Sequence, residues 1–174
     1  MTTKKTGPGD SWRTPQEVIN FIERKFGEIE IDLCSSDENK VCINNLDEDC
    51  DFLDDSWIAY SPEEFNVCTG DLAWCNPPYS NPLPFVKQCV KWANHGYAVA
   101  GILNVDTSTK WFEELINAKA LIMPIVGGRI KFIGDDGKPG KSNNKPQIIF
   151  YLAPFLAPSV DTEYIHINEI YKDK

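Results

Sequence analysis

Short apolar runs alternate with helix-like segments along most of this chain, and no other feature constrains its fold as much. "EIEIDLC", "DLAWC", "YAVAGILN", "ALIMPIV" and "QIIFYLAP" are short and rich in aliphatic residues, as buried strands are. "VCINN" and "RIKFI" read as further strands. Helical patterns lie between them. "TPQEVINFIERKFG" puts Val18, Ile19, Ile22 and Phe26 on one face. Thr14 is its expected N-cap, Pro15 its first helical residue, Glu17 the second half of a capping box and Gly27 its stop. "PLPFVKQCVKWANHG" and "VDTSTKWFEELINAK" read as two more helices, and Ser36 in "SSDEN" is expected to cap a short one. Strands alternating with helices predict an α/β fold built on one mostly parallel sheet. The chain has 174 residues and shows neither linker nor repeat, so one domain is expected over 12–174, behind a flexible polar arm over 1–11.

In such sheets ligands sit beyond the carboxyl ends of the strands. Asp32, Asn76 and Asn104 are all expected there. Asn76 opens "NPPY", which follows the apolar run Leu72–Cys75. Pro77 and Pro78 lack backbone donors and have fixed φ angles, and they push Asn76 toward extended geometry. The loop is therefore stiff and presents acceptors: the Asn76 side-chain oxygen and the Pro77 carbonyl. Tyr79 adds a flat ring. Two acceptors and a stacking ring suit a planar amine, whose lone pair is delocalised and poorly nucleophilic. Hydrogen bonds from both of its protons to oxygen favour a more tetrahedral nitrogen that can attack, which is catalysis by orientation and preorganised electrostatics. The competing reading of Asn-Pro-Pro is a plain tight turn after a strand.

Composition narrows the partners. The net charge of −9 has the wrong sign for a protein that coats nucleic acid with its whole surface. A local basic patch on an acidic body remains open. Arg129, Lys131, Lys138, Lys141 and Lys145 form such a patch, opposed only by Asp135 and Asp136; it is either a phosphate clamp or a solvated charged loop. "LDEDCDFLDDSW" carries six carboxylates and reads as a solvated loop. The six cysteines form no CxxC pair and the only histidines are His95 and His166, so no metal is expected and the thiols are read mostly as small buried hydrophobes. Trp12, Trp57 and Trp111 are expected in packing roles, Lys110 on phosphate or on a solvated helix face, and Asp106 as a helix cap or a wall of the site. No apolar run approaches the roughly 20 residues that span a bilayer. "MTTKKTGPGD" has no apolar signal core, so a cytoplasmic protein is expected.

"SWRTPQEV", "IDLCSSDENKVC", "FLDDSW", "WCNPPYSNP", "NVDTSTKWF" and "GRIKF" occur in this order from about Ser11 to Tyr151. Together they resemble the phage-type DNA N-6-adenine methyltransferase family, which uses S-adenosylmethionine. The resemblance implies a single Rossmann-like methyltransferase domain acting on DNA, in the host cytoplasm if phage-encoded. It implies that Asn76, Pro77, Pro78 and Tyr79 hold a flipped adenine, with Asn76 also bordering the cofactor. Thr14 and Pro15 match a segment near the methionine part of the cofactor. Asp32, Cys34 and Ser35 match the first-strand cofactor motif, although "DLCSS" lacks the glycines that most methyltransferases carry there. Asp51, Phe52 and Leu53 are assigned to the adenine side of the cofactor, with Asp54 or Asp55 as alternatives for the carboxylate. Lys110, Arg129, Lys131, Lys138, Lys141 and Lys145 are assigned to DNA. Asn-Pro-Pro-Tyr also serves methylation of RNA bases and protein glutamine, and a non-catalytic acidic binding protein is a third reading.

Overall fold

The structure, a computed structural model, describes residues 12–36, 39–47, 51–58, 68, 70–134, 136–140, 145–158 and 162–172. In chain order its elements are α1 (Gln16–Phe26), β1 (Ile29–Asp32), β2 (Asn44–Asn45), β3 (Leu72–Cys75), α2 (Leu83–Asn94), β4 (Ala98–Asn104), α3 (Lys110–Asn117), β5 (Leu121–Val126), β6 (Gln147–Leu152), β7 (Ile165–His166) and α4 (Ile167–Ile170). A 3-10 turn, Pro154–Leu156, follows β6. The expected arm over 1–11 lies outside the described residues.

The strands form a seven-stranded sheet in the order β2-β1-β3-β4-β6-β5-β7. Only β6 runs antiparallel, inserted between β4 and β5. Successive residues of a strand point to opposite faces, and β4 uses both. Val99 and Leu103 join one core with Cys89, Trp92, Trp111 and Leu115 from α2 and α3. Ala98, Ala100 and Ile102 join the other with Val18, Ile19 and Ile22 from α1 and Ile170 from α4. A sheet covered on both faces explains why β3, β4, β5 and β6 read as largely continuous apolar runs, whereas β1, nearer the edge, alternates. This is the mostly parallel, helix-flanked sheet of the Rossmann-like expectation. Trp111 is buried, as its packing role requires.

Three local readings change. Thr14 does not cap α1. Pro15 occupies the cap position with extended geometry, and no side chain caps the helix. The Thr14 hydroxyl is bonded elsewhere, as described below. "RIKFI" keeps strand-like alternation, with Ile130 and Phe132 buried and Arg129 and Lys131 exposed, but it joins no ladder of the sheet. Ile133 instead makes isolated antiparallel bridges to Arg13 and to Pro139. Ser36 closes a turn, its carbonyl accepting from Asn39 and Lys40, and no helix follows it among the described residues.

Gly101 sits at the crowded centre of the sheet. A Cβ there would lie 2.6 Å from the Cys75 carbonyl oxygen and 2.6 Å from Phe150 Cε1. Backbone on one side and a core ring on the other leave little room to yield. Gly101→Ala is therefore expected to destabilise the fold by about 1–3 kcal/mol, the usual range for overpacking, measured by chemical denaturation.

Candidate active site

Parallel pairing sends β1, β3 and β4 out at one edge. Asp32 ends β1, Asn76 follows β3 and Asn104 ends β4. Because β6 is antiparallel, its first residue reaches the same edge, with Gln147 opposite Asn104. Gln147 is buried and its carboxamide ties three segments together. Its Oε1 accepts from the Ile130 N–H at 3.2 Å, and its Nε2 donates to Asn104 Oδ1 at 3.3 Å and to the Lys145 carbonyl. Sequence reasoning missed Gln147. Its only signal is a polar residue heading an otherwise apolar strand.

Asn76 is half-buried. Its Nδ2 donates to Thr14 Oγ1 at 3.2 Å and to the Trp12 carbonyl at 3.4 Å. A carbonyl can only accept, so the contact with Trp12 fixes which end of the amide is nitrogen. Oδ1 is left as the acceptor, and no described residue donates to it. Pro77 is buried behind it. The Tyr79 ring meets Phe132 edge-on, with centroids 6.0 Å apart. Its hydroxyl is enclosed and has no partner among the described residues, and burial raises its pKa.

Asp32 organises the loop after β1. One carboxylate oxygen accepts from the Cys34 N–H and the other from the Val41 N–H, each at 3.2 Å. Burial pushes the carboxyl up to about 6, and these two bonds oppose the shift. Ser35 is buried, and its Oγ finds no partner among the described residues. Cys34 Sγ lies 3.5 Å from Cys75 Sγ, so the β1 loop touches the residue that precedes Asn76. Burial raises the Cys75 and Cys89 thiols, which keeps them neutral packing groups. Cys34 and Cys42 are only half-buried and Cys68 is exposed, so the buried-hydrophobe reading does not cover those three. Cys50 lies outside the described residues.

The segment 51–58 is partly committed to itself. Asp51, at φ 38°, accepts from the Leu53 N–H at 3.2 Å. Phe52 is buried against Phe85 and Trp92, and Leu53 packs on the same core. Asp54 accepts from the Ser56 N–H at 2.9 Å, and Asp55 pairs with Lys91 at 2.7 Å. Asp106 accepts from the Ser108 N–H and hydroxyl, which stiffens the turn into α3.

Residues 132–134 and 136–140 pair as a small hairpin. The Gly140 N–H donates to Phe132 and the Gly134 N–H to Lys138. Lys138 is exposed on it, and Arg129, Lys131 and Lys145 are exposed at its approaches. Lys141 lies outside the described residues. Lys110 is exposed and pairs with Glu113 at 2.9 Å. Among the described residues, no group of three or more His, Cys, Asp or Glu side chains could hold a metal ion. No described helix is long and apolar enough to cross a membrane.

The family model described as DNA N-6-adenine-methyltransferase (Dam) matches residues 1–173. A DNA N-6-adenine-methyltransferase of Haemophilus phage HP1 is 34% identical over 173 residues, covering 97% of this chain and 92% of that protein. A protein of the same description from Escherichia phage T1 is 32% identical over 177 residues, covering 92% of this chain and 70% of that protein.

The Asp32 carboxyl supplies a pH signature. Its folded pKa of about 6 lies above its ordinary 3.8, so between those values the folded state holds the proton more tightly. Stability from this group is therefore greatest below about 4 and is lost as pH rises toward 6. Relative to Asp32→Asn, the wild type should lose about 3 kcal/mol across that window, read from denaturation midpoints at several pH values.

Proposed function

The chain belongs to the DNA N-6-adenine-methyltransferase (Dam) family, and from that premise we propose that it methylates adenine N6 in DNA through the Asn76–Tyr79 loop. The observation that carries this reading is the orientation of the Asn76 amide. Its nitrogen is engaged by Thr14 and Trp12, and its oxygen is left to accept.

An adenine amino group is flat because its lone pair is shared with the ring. Oδ1 of Asn76 and the carbonyl of Pro77 accept hydrogen bonds from its two N–H groups, and the nitrogen then gains the tetrahedral character that attack requires. Pro77 and Pro78 bring no N–H to compete for those oxygens. Tyr79 stacks on the base once it is flipped from the helix. No charged base is needed beforehand, since the extra proton can leave to water after carbon–nitrogen bond formation.

S-adenosylmethionine, when bound, would supply a methyl carbon on a positively charged sulfur, the carbon–sulfur bond breaking as the carbon–nitrogen bond forms and the sulfur leaving as the neutral thioether S-adenosylhomocysteine. The residues assigned to hold it are Asp32, Cys34, Ser35, Asp51, Phe52 and Leu53, with Asn76 at the border and the backbone of the Thr14–Pro15 segment near its methionine part, the Thr14 hydroxyl itself being engaged by Asn76. Two observations support the fit. Ser35 has a buried hydroxyl with no partner among the described residues, at the carboxyl end of β1. Asp32 holds the loop that carries it. Phosphate contacts are assigned to Lys110, Arg129, Lys131, Lys138, Lys141 and Lys145, on a protein whose net charge is −9. If the protein is phage-encoded, its setting is the host cytoplasm, where DNA is available. DNA is preferred over RNA or protein glutamine on the family match and on this basic hairpin.

Asn76→Ala should lower adenine methylation about a hundredfold or more, the scale for loss of a preorganised polar group. Its affinity for S-adenosylmethionine, read by calorimetry, should stay near wild type. Full turnover in that variant would remove Asn76 from the mechanism. Presenting DNA, RNA and protein with labelled cofactor tests the substrate class, and label should enter DNA alone. Replacing both Lys131 and Lys138 with Ala should weaken DNA binding at every sequence and flatten its salt dependence by about 0.9 per lost phosphate contact.

A further inference from the structure

The hydroxyl that ought to cap α1 does something else. Thr14 has the side chain and the position for an N-cap, yet Pro15 takes the cap and no side chain bonds the helix terminus. Thr14 Oγ1 accepts instead from Asn76 Nδ2 at 3.2 Å, beside the Trp12 carbonyl at 3.4 Å. The segment carrying these two acceptors is held from its other side. Arg13 and Ile133 exchange both backbone hydrogen bonds, at 2.9 and 3.0 Å. The Trp12 ring lies against Gly140, where a Cβ would stand 2.5 Å from Trp12 Cζ3. Residues 12–14 therefore form a strap running from the 132–140 hairpin to the Asn76 amide.

We propose that Thr14 is a positioning residue: with the Trp12 carbonyl, its hydroxyl holds the Asn76 carboxamide in the one orientation that presents Oδ1 to the substrate amine. The inference rests on Asn76 being the acceptor described above. An asparagine amide rotates easily about its last torsion, and its two ends differ little in shape. Without partners, NH₂ would face the substrate part of the time and repel the amine protons. Two acceptors on the Nδ2 side remove that state. Because the strap is built against the basic hairpin, phosphate contact there also bears on the geometry at Asn76.

The test separates this role from cofactor binding. Thr14→Val replaces the hydroxyl with a methyl group of similar size, and Thr14→Ser restores the oxygen. Thr14→Val is expected to lower kcat about tenfold, the effect of one hydrogen bond made useful at the transition state. KM for DNA and the calorimetric Kd for S-adenosylmethionine should stay near wild type, and Thr14→Ser should recover most of kcat. Gly140→Ala forces Trp12 to move and should lower kcat in the same way, non-additively with Thr14→Val. Wild-type kcat in Thr14→Val, or equal impairment in Thr14→Val and Thr14→Ser, overturns the proposal. So does a loss confined to cofactor affinity, which would make Thr14 a ligand. If Thr14→Val does not fold, wild-type kcat in Gly140→Ala overturns it. Asn76→Ala runs alongside: activity retained there sinks the acceptor reading itself, whereas an inactive Asn76→Ala beside a fully active Thr14→Val sinks only the strap.

Discussion

The parallel pairing of β1, β3 and β4 is the constraint from which the site follows. Neighbouring parallel strands must all release their chains at the same edge, so three separate loops are forced together there. The pairing is possible because β3 and β4 are apolar on both faces, β1 adds Ile29 and Ile31 to the two cores, and helices cover both sides of the sheet. Gly101 shows how tight the centre is: Cys75, one residue before the Asn-Pro-Pro-Tyr loop, sets its carbonyl where a Cβ would be. The rigidity of the loop thus comes from two sources, the proline rings and the strand they follow.

Much of this was legible in the residues themselves. Leu72–Cys75 and Ala98–Asn104 read as buried strands because nothing polar interrupts them, and the positions of Asp32, Asn76 and Asn104 at strand ends follow from that. What escaped was tertiary. Nothing local in "QIIFYLAP" says that β6 runs against its neighbours, since a strand buried on both faces carries no mark of direction. The same blindness hid Gln147, whose partners come from three segments. "RIKFI" has strand periodicity but pairs with Arg13 and its own hairpin rather than with the sheet. Ile165–Ile170, a short strand and helix that complete the far edge, left too brief a pattern to read. Thr14 misled for a different reason: a capping signature describes what a hydroxyl could do for its own helix, and here a side chain 62 residues away competes for it.

Charge is distributed unevenly in a way that suits a nucleic-acid substrate. A net −9 repels DNA from most of the surface. The exposed lysines of the 132–140 region and its approaches oppose that field in one place, beside the strap that reaches Asn76. Acidic residues at 54 and 55 are meanwhile engaged locally, Asp54 by the Ser56 N–H and Asp55 by the opposite charge of Lys91. Asp32 is the opposite case: burying it costs stability near neutral pH, and its two backbone bonds shape the loop that carries Ser35.

The Trp12 carbonyl also bears on which amino acids position 76 can tolerate. Aspartate matches asparagine in outline and offers the same outward oxygen, so by shape alone the two are interchangeable. Here the inner atom faces a peptide oxygen that can never donate. An aspartate would set a negative oxygen against it, with only the Thr14 hydroxyl able to turn and compensate. A backbone atom far away in the chain thereby selects one letter over its nearest neighbour at the opening of the motif.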